Sequence, residues 1–301
     1  MARVLTVTAN PLLDHQSPVR WRAGTVTRSP PFVRLAGGKG INVARVLARH
    51  GHQCLAFGLG GGWEAEELAR LIAADGVTPC LVRTAARLRL GFQLADGALI
   101  EDGFAVSAEE GERLVAAVRA ALPGSALLII SGSLPNPGLS ALYPALLAAA
   151  EDAGVPCWLD SHGVGAAAAL GAACRPALAK PNREEYAAAA ALWERVPELH
   201  ITDGARPAWA RTAEGCWRVV PPPITELNPI GSGDCWLAGY AHGRLSGWDS
   251  ATALRYAAAA GAANAARAEV AAIAPAEIAP LLPAVRLEPT DEGPPCRATP
   301  C

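Results

Sequence analysis

Asn228-Pro229-Ile230-Gly231-Ser232-Gly233-Asp234-Cys235-Trp236-Leu237-Ala238-Gly239-Tyr240 reads as a glycine turn opening directly into a helix. Gly231 and Gly233 lack a Cβ, so the backbone can take unusual angles there and come close to a ligand. Beyond them Leu237 and Tyr240 recur at helical spacing. Free N–H groups at a helix start, added to the helix dipole, make a site for an anion. Asp234 stands at the mouth of that site and would repel a phosphate unless it has a separate task. One such task is to take a proton from a hydroxyl that then attacks the phosphate. The competing reading of Asp234 is a helix N-cap after a glycine turn.

The totals frame this stretch. A chain of 301 residues suffices for one large α/β domain, with or without a small appendage. With 51% hydrophobic and 18% charged residues, a sizeable core is available and general disorder is disfavoured. The net charge of −2 offers no basic excess for nucleic acid, so an anionic substrate must be held by a few local basic groups. Ala-rich stretches at 145–150, 166–169, 187–191 and 257–266 favour helix, but are too short or too interrupted to span a membrane. The first seven residues read as a strand, without the apolar run and cleavage site of a signal peptide. Eight cysteines form no C-x-x-C pair, which argues against a metal knuckle or a redox motif. They read as reduced cysteines of a cytoplasmic protein, with Cys296 and Cys301 in a Pro-rich tail whose pairing would be incidental.

Taken in order, residues 4–8 form an apolar strand ending in Ala9-Asn10-Pro11-Leu12-Leu13-Asp14. Loops at the carboxyl ends of strands in open α/β sheets bind ligands, so Asp14 is a candidate for sugar hydroxyls, or else a turn residue. Residues 19–21 and 25–27 are short and β-prone around Gly24, suggesting a small hairpin. Gly37-Gly38-Lys39-Gly40-Ile41-Asn42 then opens an amphipathic helix with Ile41, Ala44, Leu47 and Ala48 on one face. This is neither G-x-G-x-x-G nor a P-loop. It brings backbone amides, the Lys39 charge and the Asn42 amide together, unless it is simply a glycine turn with a surface lysine. In the β-like segment 86–95, Arg87 and Arg89 could close over an anionic substrate or serve as solvated edge charges, with 97–100 as the returning strand. From residue 107 onward helix and strand alternate regularly: helices at 107–122, 138–153 and 182–191, strands at 127–130, 156–159, 177–179 and 199–202. An edge hairpin at 207–212 and 216–220 and a long helix at 250–268 complete the pattern. Such alternation gives a doubly wound, mostly parallel sheet with helices on both faces. The segments 17–35 and 86–101 break the rhythm and are assigned to a small β lid. Residues 1–287 thus read as a single domain without internal repeat or linker, and 288–301 as a disordered tail.

Two stretches together carry more than local chemistry. Gly37-Gly38-Lys39-Gly40-Ile41-Asn42-Val43-Ala44 and Asn228-Pro229-Ile230-Gly231-Ser232-Gly233-Asp234 resemble the two signature regions of the ribokinase-like PfkB carbohydrate kinases. Within that family the chain is most similar to the 1-phosphofructokinase and tagatose-6-phosphate kinase branch. Asn10-Pro11-Leu12-Leu13-Asp14 resembles its N-P-x-x-D, Ser131-Gly132-Ser133-Leu134-Pro135 its S-G-S-L-P loop, and Lys180-Pro181-Asn182-Arg183-Glu184-Glu185 its K-P-N-x-x-E element. Gly261-Ala262-Ala263-Asn264-Ala265 is similar to its late helix, and the resemblance covers residues 3–285.

The resemblance implies a ribokinase-like fold with a β lid and transfer of phosphate from ATP. It implies Asp234 as general base, with Gly231, Ser232 and Gly233 as the anion hole. Asp14, Gly38, Lys39 and Asn42 match sugar-contacting positions. Lys180, Asn182, Thr202, Gly204 and Asn264 match the nucleotide side, and Asn182 with Glu185 would organise Mg²⁺ mainly through water. Arg87 and Arg89 would read the sugar phosphate, of fructose 1-phosphate, fructose 6-phosphate or tagatose 6-phosphate type. The branch's Thr-Arg-x-Asn pattern is replaced by Ala86-Arg87-Leu88-Arg89, and the acidic stretch after it is shortened to Ile100-Glu101-Asp102-Gly103, which leaves the identity of the sugar open. A kinase for an unphosphorylated sugar or nucleoside is the nearest alternative. A non-catalytic sugar-phosphate-binding regulator on the same fold is a further one. A homodimer through the lid is a family-level expectation, whereas nucleic-acid and membrane partners are not expected.

Overall fold

The computed structural model describes residues 1–294, so Cys296 and Cys301 lie outside it. β1 (Arg3–Thr8), β2 (Leu12–Gln16) and β3 (Val33–Gly37) lead into α1 (Lys39–Arg49). β4 (Gln53–Gly60), α2 (Gly62–Ala74), β5 (Thr78–Arg83), β6 (Arg89–Leu94) and β7 (Gly97–Ile100) follow. α3 (Ala108–Ala121), β8 (Leu127–Ser131), α4 (Leu142–Asp152), β9 (Cys157–Asp160), α5 (Gly163–Gly171) and β10 (Leu178–Ala179) continue the alternation. Then come α6 (Arg183–Ala188), α7 (Ala190–Trp193), β11 (Glu198–Asp203), β12 (Arg206–Thr212) and β13 (Gly215–Val220). The described chain closes with α8 (Ser232–Leu245), α9 (Ser250–Ala265), α10 (Pro275–Ile278) and β14 (Arg286–Pro289).

Ten strands form one sheet in the order β14-β13-β12-β11-β10-β9-β8-β1-β4-β5. From β11 to β5 the neighbours run parallel, and β12, β13 and β14 add an antiparallel edge. Parallel strands covered on both faces need apolar residues at both parities. Accordingly Leu127 and Ile129 of β8 pack into one core, with α1, α2, α8 and α9, while Leu128 and Ile130 pack into the other, with α3, α4 and α5. The alanine-rich α9 has a packing reason as well as a helical propensity. A Cβ on Gly239 or Gly243 of α8 would come within 3.0 Å of Ala260 or 2.8 Å of Ala253, so the two helices meet almost backbone to backbone.

The lid is a separate four-stranded sheet, β3-β2-β6-β7. Its strands correct the expected hairpin: residues 19–27 are irregular, and the paired segments are β2 and β3 on either side. Pro18, Pro30 and Pro31 lie just beyond Gln16 and Val33 and lack the donors that would extend the β2–β3 ladder toward that segment, and β2 takes β6 as its second neighbour. Asp14 therefore sits inside a lid strand, with Leu13 fully buried beside it.

The expected helix at 182–191 is divided at Ala189, whose φ of −150° is not helical. The expected start of a tail at 288 is also corrected. β14 pairs with β13 through Pro289, Arg218 holds Glu288 at 2.5 Å, and Trp209 Nε1 donates to Glu292 O at 3.0 Å. A proline is tolerated there because β14 is the sheet's outer edge. Among the described residues no helix is long and apolar enough to cross a membrane, and the cysteines are free.

Candidate active site

The starts of α1 and α8 face each other across a cleft of about 430 Å³, lined from below by the carboxyl ends of β1 and β11 and from above by the lid. Both helix starts require glycine. Gly38 has φ 138°, and a Cβ on it would lie 2.7 Å from Thr8 Cγ2. Gly231 has φ 82°, and a Cβ on it would lie 2.7 Å from Val270 Cγ1. Among the described residues the N–H groups of Gly231, Gly233 and Asp234 have no protein acceptor, which leaves them for an anion.

Asp234 lies in the first turn of α8 and is buried. Its Oδ2 accepts from Asn42 Nδ2 at 2.8 Å, while its Oδ1 takes no protein hydrogen bond among the described residues. Burial, then the like charge of Asp160, push its carboxyl up, and Lys39, Asn42 and Lys180 pull it back, leaving it at about 6. It is thus ionised near neutrality yet basic enough to accept a proton.

Asp160, at the end of β9, is fully buried. Its Oδ1 lies 3.3 Å from Lys39 Nζ and 3.4 Å from Lys180 Nζ. Burial alone would raise its carboxyl, but the two ammonium groups hold it below its ordinary value. Burial likewise disfavours the charged Lys39, yet Asp160, Asp234 and Glu185 together raise it. Lys180 Nζ lies 3.1 Å from where a Cβ of Gly233 would stand, so the missing side chain lets an ammonium rest over the helix start. Two fixed cations beside free amides are suited to a phosphoryl group.

Asn182 caps α6 in a closed box. Its Oδ1 accepts from Glu185 N at 2.8 Å, and Glu185 Oε2 accepts from Asn182 N at 2.8 Å. Glu185 Oε1 is left toward the cleft, 3.8 Å from Lys39 Nζ and 3.7 Å from His162 Nδ1. Among the described residues no group of three or more acidic, His or Cys side chains could hold a metal ion, so a metal here would draw most ligands from phosphate and water.

Under the lid, Asp14 Oδ2 accepts from Gln93 Nε2 at 2.7 Å and Gln16 Nε2 at 3.1 Å, while its buried Oδ1 has no partner. Asn10 Oδ1 and Thr8 Oγ1 are buried and unpartnered in the same cleft. These orphaned acceptors await hydroxyl donors. The lid arginines depart from expectation. Arg87 lies outside the cleft wall and grips both oxygens of Glu101, at 2.6 and 3.0 Å. Arg89 lines the cleft but donates to the carbonyls of Asn10, Pro11, Glu101 and Asp102. The shortened stretch after β7 supplies the Glu101 carboxylate and two of the carbonyls, and the β1–β2 loop the other two, so Arg87 is paired by a carboxylate and the Arg89 donors are occupied by protein.

A second cavity of about 750 Å³ adjoins the first at Thr202 and Gly233 and includes Gly204 and Ser232. Residues 221–224, Ala258 and Ala262 give it apolar walls. Asn264, expected on the nucleotide side, lines neither cavity and is 1% exposed. Its Nδ2 donates to Ile230 O at 2.8 Å and Ser232 Oγ at 3.0 Å, and its Oδ1 accepts from Ala271 N at 2.7 Å. It therefore braces the glycine turn from behind. Asn42 lines the first cleft as expected, and its amide also binds protein at both ends, Oδ1 accepting from Arg45 and Nδ2 donating to Asp234. The remaining expected residues, Lys39, Lys180, Asn182, Glu185, Gly38 and Asp14, all reach the first cleft. Asp160, Arg45, Asn10 and Gln93 were not singled out. Asp160 had a signal, a carboxylate ending a strand on the ligand side of the sheet; Arg45, mid-helix, had none.

The model of the pfkB family of carbohydrate kinases matches residues 7–277, and the chain belongs to that family. Phosphofructokinase-2 from Escherichia coli, in its complex with fructose-6-phosphate, is 26% identical and superimposes with a TM-score of 0.82 over 94% of this chain and 99% of that one. The tetrameric inhibited form of the same enzyme gives 26% and 0.82 over the same shares. A protein described as a possible 1-phosphofructokinase from Thermotoga maritima shares the fold at 21% identity and a TM-score of 0.86, over 96% of this chain and 100% of that one.

Proposed function

We propose that this pfkB-family kinase transfers the γ-phosphoryl group of ATP to a hydroxyl of a sugar, with Asp234 as general base. The observation that carries the reading is the pairing, at one helix start, of a buried carboxylate with a free Oδ1 and amides without acceptors. Asp14 Oδ1 and Asn10 Oδ1 receive sugar hydroxyls and turn one of them toward Asp234. Asp234 Oδ1 takes that hydroxyl's proton as its oxygen attacks phosphorus in line. The base and ribose lie in the apolar cavity behind Gly233, and the γ-phosphate meets the free amides of Gly231, Gly233 and Asp234. Lys39 and Lys180, fixed on Asp160, stabilise the charge of the moving group. Glu185 Oε1 and Asn182 fit Mg²⁺ held chiefly by phosphate and water, which would supply charge neutralisation between the phosphates.

For the acceptor, the branch resemblance and the neighbour that binds fructose-6-phosphate support a sugar phosphate of fructose 1-phosphate, fructose 6-phosphate or tagatose 6-phosphate type. The Arg87–Glu101 pair and the engagement of Arg89 with four carbonyls favour the second reading, an unphosphorylated sugar. ADP release measured across matched sugars and sugar phosphates decides between them. Under the first reading Arg87 must leave Glu101, so Glu101→Gln raises kcat/KM for sugar phosphates alone. If no sugar of either kind supports ADP release, the kinase reading fails. A cytoplasmic homodimer is part of the proposal, since Trp21, Val33 and Leu99 expose large apolar side chains on the lid.

A further inference from the structure

A line of hydrogen bonds runs from the C-terminus of α2 through the protein to Asp234. Asp75 Oδ2 accepts from Arg45 Nε at 2.6 Å. Arg45 Nη2 donates to Ala36 O at 2.8 Å and Nη1 to Asn42 Oδ1 at 2.9 Å. Asn42 Nδ2 donates to Asp234 Oδ2 at 2.8 Å. Arg45 is 5% exposed, and a guanidinium is costly to bury unless it is paired.

The Asn42 amide has two ends of nearly equal shape, so sterics alone do not choose which end meets Asp234. Arg45 does choose. A guanidinium only donates, so it demands the amide oxygen. The NH₂ is then turned to Asp234, a carboxylate that only accepts. The reversed amide would set oxygen against carboxylate and NH₂ against guanidinium. Asn42 and Arg45 stand three residues apart on α1, on one helix face, which makes the contact possible.

We propose that Arg45, anchored by Asp75, is a positioning residue for the base: it locks the Asn42 amide so that Asp234 Oδ2 is occupied and Oδ1 alone is presented to the substrate hydroxyl. The inference rests on Asp234 being the base. The other charged or titratable groups facing Asp234 are Lys39 on α1, Asp160 at the end of β9, Lys180 after β10 and Cys235 beside it on α8.

The test uses Arg45→Met and Asp75→Asn in the full chain, with two readouts. One is the titration of Asp234 by carboxylate infrared difference spectroscopy, its band identified by its loss in Asp234→Asn. The other is kcat against pH on the best substrate. Loss of the lock lets the amide oxygen approach the carboxylate, so the Asp234 midpoint rises by about one unit in Arg45→Met and by less in Asp75→Asn. The acid limb of kcat moves with it, alkaline pH restores kcat, and KM for the sugar changes little. Asp75→Asn is decisive because the two explanations differ in sign. Removing a negative charge lowers the midpoint by Coulomb interaction alone, whereas loosening the anchor raises it. An unchanged or lowered midpoint in Asp75→Asn overturns the proposal, and because Asp75 is partly exposed this arm survives if Arg45→Met does not fold. A raised midpoint with an unmoved kcat limb upholds the positioning and instead removes Asp234 from the role of base.

Discussion

Replacing Asn264 by alanine separates a brace from a nucleotide contact. Three hydrogen bonds disappear, and the Ala271 N–H and Ile230 O lose their side-chain partner in the interior. A buried donor left unpaired costs about 1–3 kcal/mol, and an ordinary lost hydrogen bond about 0.5–1.5 kcal/mol. Ala271 also holds φ 51°, an unfavourable angle for alanine that the Asn264 bond helps to fix. The sum is roughly 2–6 kcal/mol, or a fall in Tm of roughly 3–10 °C. Because the braced segment carries the amides of the anion site, kcat falls as well, by about tenfold or more but less than the ~10²–10³ of a deleted oxyanion donor. The assay is differential scanning calorimetry of the free protein, beside kcat and the dissociation constant of ATP. A variant with unchanged Tm and kcat but weakened ATP binding would refute the brace and return Asn264 to the nucleotide side.

Glu185→Gln should keep the α6 capping box, since Gln serves at that position as Glu does, while raising the Mg²⁺ concentration for half-maximal activity ~10–100-fold; an unchanged Mg²⁺ dependence removes Glu185 from the metal side. Gly38→Ala sets a Cβ 2.7 Å from Thr8 Cγ2 at φ 138°, so urea denaturation should show a loss of about 1–3 kcal/mol, and a fully stable variant contradicts the geometry. His50, His52 and His242 cluster where α1 ends and β4 begins, and burial lowers all three, His242 to about 4. Their folded values lie below the unfolded value of about 6.5, so the unfolded chain binds protons first and stability is lost as pH falls from about 6.5 toward 4. Urea midpoints at pH 7.5 and 5 measure this, and His242→Gln should flatten the dependence; an equal slope in the variant would assign the acid sensitivity elsewhere.

The doubly wound sheet was legible because its strands are short apolar runs and its helices carry apolar stripes, two periods that a single chain records directly. β14 was not, because Arg286-Leu287-Glu288-Pro289 has no strand-like run and pairs only because β13 offers an edge. In the site, Asp234 and Lys39 announced themselves beside glycine turns, and Glu185 through the resemblance of its K-P-N-x-x-E element. Partner choice did not: Arg87 and Arg89 are cations in sequence, and only the approach of Glu101 and four carbonyls reveals them as engaged. Asn264 misled in the same way, since an amide on a buried helix gives no hint whether it faces a ligand or the turn beneath it.

Asp234→Asn on the best sugar, in a single turnover with ATP and Mg²⁺ saturating, tests the central claim most directly. The substitution keeps size and removes the base. The account expects the phosphoryl-transfer rate to fall by at least ~10²–10⁴-fold with ATP and sugar affinities nearly unchanged, and the parent's rate to drop about tenfold per pH unit below about 6. A variant within a few-fold of the parent, or a parent rate flat from pH 7 to 5, would contradict it.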